Sequence, residues 1–486
     1  MKRMVLIPIL ALCGVMAFAK GTTEQKPAGK AMDKITYGTW IYYQNPDSEA
    51  ALEALFKKDT GVTLELVNFA KDRWEDKLQA LYMSGDAPDV SICPSNMTPL
   101  AKQGFLAPID AYIEKSAGFK DMKAKLPQVF RVGEYGGKTY AMAAGIGNYM
   151  NFWVRQDWLD KLGLKMPTSM NEIVAMLEAF KKVPGPNGQK VIPMTMANSI
   201  WPHDVFATYW GAFNEVTLRN GKYVEYYATP QFKEYLEFMR DLYKRELLDK
   251  ELPTLGYGDV RKRCQTGVAG SCIMWDDTYD AFAKGMQDNK IEGVMVPVPP
   301  FKNPNMAGGV FGLSYSPPTS DFCINAKAAN PEFVFNKFFD WFFLQDDGIV
   351  SSSRGVPGFD FTVENGIMTP TKKPNSGVGA HGQKIPPVKP GFEYPFKFDP
   401  ISQGEWDDIK LVAQYAKPFF NDTDKIYPPQ DANRYGSVKS GLYDKKVALV
   451  SKFIIGELDY DGFTKEFTKY ANEIQLFEIL KELNGK

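Results

Sequence analysis

The sequence predicts a two-lobed α/β protein, and three observations carry that prediction. At 486 residues the chain exceeds the roughly 250–300 residues at which a single hydrophobic core stops growing. Its first hundred residues alternate strand, helix and strand, the pattern of a parallel sheet covered by helices. Small-residue, Gly- and Pro-rich stretches at 135–147 and 297–312 interrupt the periodic segments and read as hinge crossings between lobes, with a third candidate at 351–358.

Taken in order, ITYGTW from Ile35 forms a strand, EAALEALFKK sets Leu52, Leu55 and Phe56 at helical spacing, and VTLELVNF alternates as a second strand. A further helix carries Trp74, Leu78, Leu81 and Tyr82 on one face, and a short strand, Asp89–Ile92, runs into Pro94-Ser95-Asn96. Ligand loops of such a sheet lie beyond the carboxyl ends of its strands. Later helices announce their starts. Ser169-Met170-Asn171-Glu172 is a capping box ahead of Ile173, Val174, Leu177 and Phe180. Thr229-Pro230 opens a helix striped by Phe232, Leu236, Met239 and Tyr243, and Asn330-Pro331 opens the aromatic PEFVFNKFFDWFFL. These stripes read as lobe core.

The amino terminus differs from everything after it. Lys2 and Arg3 precede an apolar run from Met4 to Phe18 that ends in Ala17-Phe18-Ala19, a secretory signal cleaved after Ala19. The run is shorter than the roughly twenty residues of a membrane span. Leu10-Ala11-Leu12-Cys13-Gly14 offers a second route, lipidation at Cys13, although Leu12 is bulkier than a lipobox normally has. Both routes place the protein outside the cytoplasm, periplasmic or attached to the outer face of the membrane. Residues 20–33 are polar and aperiodic and read as a disordered tether. The remaining cysteines, Cys93, Cys264, Cys272 and Cys323, are too few for a disulfide scaffold; they are buried thiols or include one Cys264–Cys272 bridge.

Composition excludes several functions. With 57 Lys+Arg against 58 Asp+Glu there is no charge excess to drive binding to nucleic acid. The two histidines, His203 and His381, cannot build a histidine-rich metal site, and no G-x-S-x-G, P-loop, H-E-x-x-H or C-x-x-C string occurs. Acidic doublets such as Asp276-Asp277 and Asp407-Asp408 cannot straddle a glycosidic bond, because adjacent residues sit on the same side of a sugar.

Several strings occur together in one order. Gly85-Asp86-Ala87-Pro88-Asp89-Val90, Gly104-Phe105-Leu106-Ala107-Pro108-Ile109-Asp110, Gly136-Gly137-Lys138-Thr139-Tyr140, Arg155–Leu164 (RQDWLDKLGL) with Pro167-Thr168, and Phe453-Ile454-Ile455-Gly456-Glu457 resemble the family 1 extracellular solute-binding proteins of ABC importers. The resemblance spans about Ile35 to Leu483. It implies a periplasmic-binding-protein fold of Venus-flytrap type, with parallel-rich sheets flanked by helices and ligand held between lobes joined by hinge crossings. The lobes are expected at 34–143 plus about 309–355, and at 144–308 plus about 356–486. The region equivalent to that family's calcium loop, Val183–Lys190, carries no carboxylate, so no metal or other cofactor is expected.

A sugar presents hydroxyls around its ring and an apolar C–H face, so its site needs flat aromatics and a few fixed polar groups. With that implied ligand, the candidates are Trp40, Tyr42 and Tyr43 after the first strand, Trp74 on the helix that follows the second, Ser95 and Asn96 after the third, and Asn148 and Tyr149 past the first crossing. Trp201, His203 and Trp210 fall in an aromatic loop after a strand at Val191–Thr195, and Trp275 with Asp276 ends the strand Ser271–Met274. Phe311 and Tyr315 follow the second crossing, and Arg354 lies at the third, where its guanidinium can fork onto a hydroxyl pair or carboxylate. Trp406 is a further aromatic candidate. The implied partners are a carbohydrate and the permease subunits of an ABC importer, with the receptor a monomer. A peptide receptor of the same fold and an exported glycoside hydrolase are the competing readings.

Overall fold

The computed structural model describes residues 32–40, 46–69, 74–94, 97–145, 148–219, 221–316, 322–371, 388–416 and 433–485. The signal segment, the tether up to residue 31, Tyr42, Tyr43, Ser95, Asn96 and His381 lie outside them. In chain order, the elements that matter for the site are β1 (Lys34–Trp40), α1 (Pro46–Thr60), β2 (Thr63–Phe69), α2 (Trp74–Ser84), β3 (Val90–Ile92), β4 (Ala141–Met142) and β5 (Asn148–Arg155). They continue with α3 (Met170–Phe180), β6 (Ile192–Thr195), α4 (Ile200–Ala207), α5 (Pro230–Lys244), α6 (Tyr257–Gln265), β7 (Ala269–Trp275), α7 (Tyr279–Asp288), β8 (Met295–Pro297), β9 (Leu313–Ser316) and β10 (Phe322–Ile324). The last are α8 (Asp346–Arg354), β11 (Phe361–Glu364), β12 (Ile367–Pro370), β13 (Lys397–Phe398), α9 (Pro400–Ala416) and α10 (Asn433–Ile455).

Two five-stranded sheets each carry a lobe. The first runs β2-β1-β3-β10-β4, with β1 parallel to β2 and β3, and β10 antiparallel to β3 and β4. The second runs β8-β5-β7-β6, with β9 also on β5. There only β6 and β7 are parallel, and β5 is antiparallel to each of its neighbours. Parallel pairing thus follows the βαβ units, and the strands that return across the molecule pair antiparallel.

Strand β5 shows how the second sheet is buried on both faces. Met150, Phe152 and Val154 point into the main core of that lobe, and Trp153 points the other way among Cys272, Met274 and Phe282. In β7 the glycine is a packing requirement: a Cβ on Gly270 would lie 2.5 Å from Trp158 and 2.6 Å from Phe180. The predicted caps form, with the side chains of Ser169, Thr229 and Asn330 accepting from the N–H groups of Glu172, Phe232 and Phe333. The aromatic helix packs Phe338 and Phe342 around Tyr37 and Phe322 in the first-lobe core. Cys93, Cys264, Cys272 and Cys323 are buried, and no disulfide joins cysteines among the described residues.

The chain passes from β4 of the first sheet to β5 of the second, as the small-residue stretch predicts. The return differs from expectation. Residues 301–302 and 310–311 form a hairpin, and β9 hydrogen-bonds along β5 from Leu313 to Ser316. Residues 309–316 therefore stay with the second sheet, and the return to the first falls between Ser316 and Phe322. After α8 a small sheet, β11-β12-β13, leads into α9, which packs against α7, the 276–278 turn and β5.

Candidate ligand-binding site

Strand polarity brings the site together at one end of the second sheet. Because β5 is antiparallel to β7, its first residues lie beside the carboxyl end of β7, with Met150 opposite Trp275. The backbone N–H of Tyr149 donates to Asp276 Oδ2 at 3.2 Å. Because β6 is parallel to β7, its own carboxyl end leads through Ser199 into α4, and Trp201 meets Trp275 with ring centroids 6.0 Å apart. Both tryptophans are half-buried. This is the carboxyl-end placement expected of an open α/β sheet.

Hydroxyls flank the pair. Tyr443 of α10 lies edge-on to Trp201 at 5.7 Å, and its hydroxyl shares a hydrogen bond with Ser199 Oγ at 2.8 Å. Tyr257 donates to the same Oγ at 3.0 Å, and burial pushes the Tyr257 phenol up. Helix α9 closes one side. Gly404 lets it approach Tyr279, where a Cβ would lie 2.3 Å from Cε1. One turn on is Asp408, and after it Val412 and Tyr415 pack with Tyr149. Burial, and then neighbouring Asp277, hold the Asp276 carboxyl well above the usual range. Burial, and then Asp407, push Asp408 up to about 7. Two half-buried indoles with the Ser199 and Tyr443 hydroxyls beside Trp201 and the Asp276 carboxyl next to Trp275 suit stacking plus hydrogen bonding.

The other candidates divide. Tyr315 is register partner of Tyr149, so its backbone joins the site. Asn148 begins β5 and Trp40 closes β1 at its carboxyl end. Trp74 opens α2, half-buried against the first-lobe core. Trp210 packs on Tyr209 and Phe238, each at 5.2 Å, and on Tyr235. Arg354 is buried among Tyr394, Phe398 and Trp406.

Two expectations are corrected. The segment read as an aromatic loop is helix α4, and two residues along a helix is about 200° of rotation. His203 therefore points away from Trp201 into the core, where it is buried, hydrogen-bonds the Tyr235 hydroxyl through Nδ1, and has its pKa pushed down to about 3 by burial. Phe311 is also fully buried, stacked on Phe301 at 4.7 Å and packed against Phe152 and Phe206, because the crossing it was expected to follow comes later. Sequence reasoning missed Ser199, Tyr257, Tyr279, Asp408, Tyr415 and Tyr443. Tyr279 was within reach, three residues past Asp276; those on α9 and α10 carry no local signal.

Residues 42–347 match the sequence model of the bacterial extracellular solute-binding proteins. The chain belongs to that family. Among relatives of this solute-binding protein, lipoprotein LipO of Bacillus subtilis is 22% identical, with 99% of this chain and 97% of LipO aligned. The polygalacturonan/rhamnogalacturonan-binding protein YtcQ of the same organism is 23% identical over 56% of each chain. The solved structure of the Streptococcus pneumoniae ABC-transporter substrate-binding protein FusA in complex with kestose superposes with a TM-score of 0.66 at 18% identity, covering 93% of this chain and 99% of that one. Likeness at that identity shows the fold, two lobes of mixed helix and sheet. Among the described residues no helix is long and apolar enough to cross a membrane, and no three His, Cys, Asp or Glu side chains converge as a metal site.

Proposed function

We propose that this protein is the extracytoplasmic receptor of an ABC importer, that it binds a carbohydrate, an oligosaccharide, between its lobes, and that it delivers the sugar unchanged to the permease. The observation that carries the reading is the Trp201–Trp275 pair at the carboxyl end of β7, rimmed by the Ser199, Tyr257 and Tyr443 hydroxyls, in a chain of this family. Indole faces take the C–H face of a pyranose or furanose ring, and the rim takes its hydroxyls. Relatives that are named for polygalacturonan/rhamnogalacturonan and solved with kestose support the ligand class.

The lobes are residues 34–143 with about 317–355, and 144–316 with about 356–486. Tyr149, Trp201, Trp275 and Asp276 form the second-lobe wall, and Trp40, Tyr42, Tyr43, Ser95 and Asn96, at the ends of β1 and β3, supply the first-lobe wall. Ligand touching both walls favours the closed arrangement, a shift in population that the permease reads. The protein acts as a monomer and performs no chemistry on its cargo. Calorimetric titration with plant- and bacteria-derived oligosaccharides, with chromatography of the recovered sugar, tests this. Saturable binding with intact sugar is expected; cleaved product, or binding of peptides alone, would overturn it.

A further inference from the structure

Among the described residues the wall that holds Trp275 is acidic, and the bases near it are paired with other acids. Asp276 is 5% exposed at the foot of the tryptophan pair. On α9, the face running Gly404, Asp408, Val412, Tyr415 lies over Tyr279 and Tyr149. Asp408 Oδ2 is withdrawn from solvent and has no hydrogen-bond partner among the described residues. Nearby cations are spent on other acids: Lys410 on Asp407 at 2.8 Å, Lys439 on Glu215 at 3.5 Å, Lys446 on Glu225 at 2.8 Å and Arg354 on Glu405 at 3.6 Å. The carboxyls of Asp276 and Asp408 are correspondingly held above the ordinary range by burial, with neighbouring acids adding to it.

We infer that the ligand unit seated against this wall is a neutral or aminated sugar rather than a uronate, and that Asp408 is a residue that decides it. Its Oδ2 accepts a hydrogen bond from a ligand hydroxyl or ammonium, which satisfies the withdrawn oxygen. A sugar carboxylate in the same place would set like charges together in a poorly hydrated cleft, the kind of juxtaposition that rejects a wrong partner. The inference rests on the carbohydrate reading above and narrows it; the tryptophan pair defines the site, and the acids set which sugar it takes.

The test uses the full chain at pH 8, where Asp408 is ionised, on a glycan array of neutral, aminated and uronic acid oligosaccharides. The best glycan and its uronate counterpart are then titrated calorimetrically into wild type and Asp408→Asn. We expect neutral or aminated glycans to bind at least about tenfold tighter than uronates. We expect Asp408→Asn, checked for folding by its melting curve, to shrink that ratio severalfold while affinity for the neutral sugar changes less. Uronates binding as tightly as neutral sugars, or a ratio untouched by Asp408→Asn, would overturn the inference and leave the carbohydrate reading standing. An array on which no glycan binds would overturn both.

Discussion

The guanidinium of Arg354 faces the carboxylate of Glu405 at 3.6 Å, with 4% and 0% of the two side chains exposed. Arg354 ends α8 and Glu405 lies near the start of α9, so the pair fastens the end of one helix to the beginning of the other. Rings of Tyr394, Phe398 and Trp406 enclose the guanidinium at 4.7–5.6 Å. Removing the Glu405 charge leaves the buried Arg354 guanidinium without its carboxylate, so Glu405→Gln should cost about 3–5 kcal/mol, whereas Arg354→Met with Glu405→Leu should cost far less. Urea denaturation measures both. A Glu405→Gln protein within about 1 kcal/mol of wild type would show that the pair is dispensable.

Trp275→Ala and Trp201→Ala should each weaken ligand binding at least about tenfold, or about 1.4 kcal/mol, by removing a stacking face. His203→Gln should leave affinity unchanged and lower stability by about 1–3 kcal/mol, because it disturbs a buried hydrogen bond rather than a ligand contact. Titration calorimetry and thermal melts on the three variants separate the roles. An affinity loss in His203→Gln matching that of Trp275→Ala would put the histidine back in the site.

Burial lowers the His203 pKa from 6.5 to about 3. Between these values the unfolded chain takes up a proton that the folded chain refuses, so stability falls as pH drops from 6.5 toward 3, by up to about 1.4 kcal/mol per pH unit. His203→Gln should show a shallower loss over that window in melts recorded at successive pH values. Parallel curves for the two proteins would contradict the assignment.

Asp408 shifts the other way, from 3.8 up to about 7. The folded chain keeps a proton that the unfolded chain releases, so this contribution is fully present below pH 3.8, declines as pH rises, and is gone above about 7. Asp276, also raised, adds a slope of the same sign that both proteins share. Asp408→Asn should therefore match wild type near pH 4 and exceed it in melting temperature at pH 8. A variant less stable than wild type at pH 8 would mean that the carboxylate is held by a partner.

What the sequence determined by itself was local. The βαβ opening, the caps at Ser169, Thr229 and Asn330, and the strand ending at Trp275 are each set within a few residues by periodicity or by a side chain reaching its own backbone. The small-residue crossing before β5 was equally legible, and two lobes followed from length. Tertiary structure decided the rest. The mixed pairing of both sheets, the return to the first lobe after Ser316 rather than near 309, and the burial of His203 and Phe311 depend on which surfaces meet. Asp408, Val412, Tyr415 and Tyr443 reach the site from helices more than 120 residues beyond Trp275 in the chain. Nothing local marks them, because their place comes from packing α9 on α7 and α10 on α4 and α5, contacts that exist only once the lobes have folded.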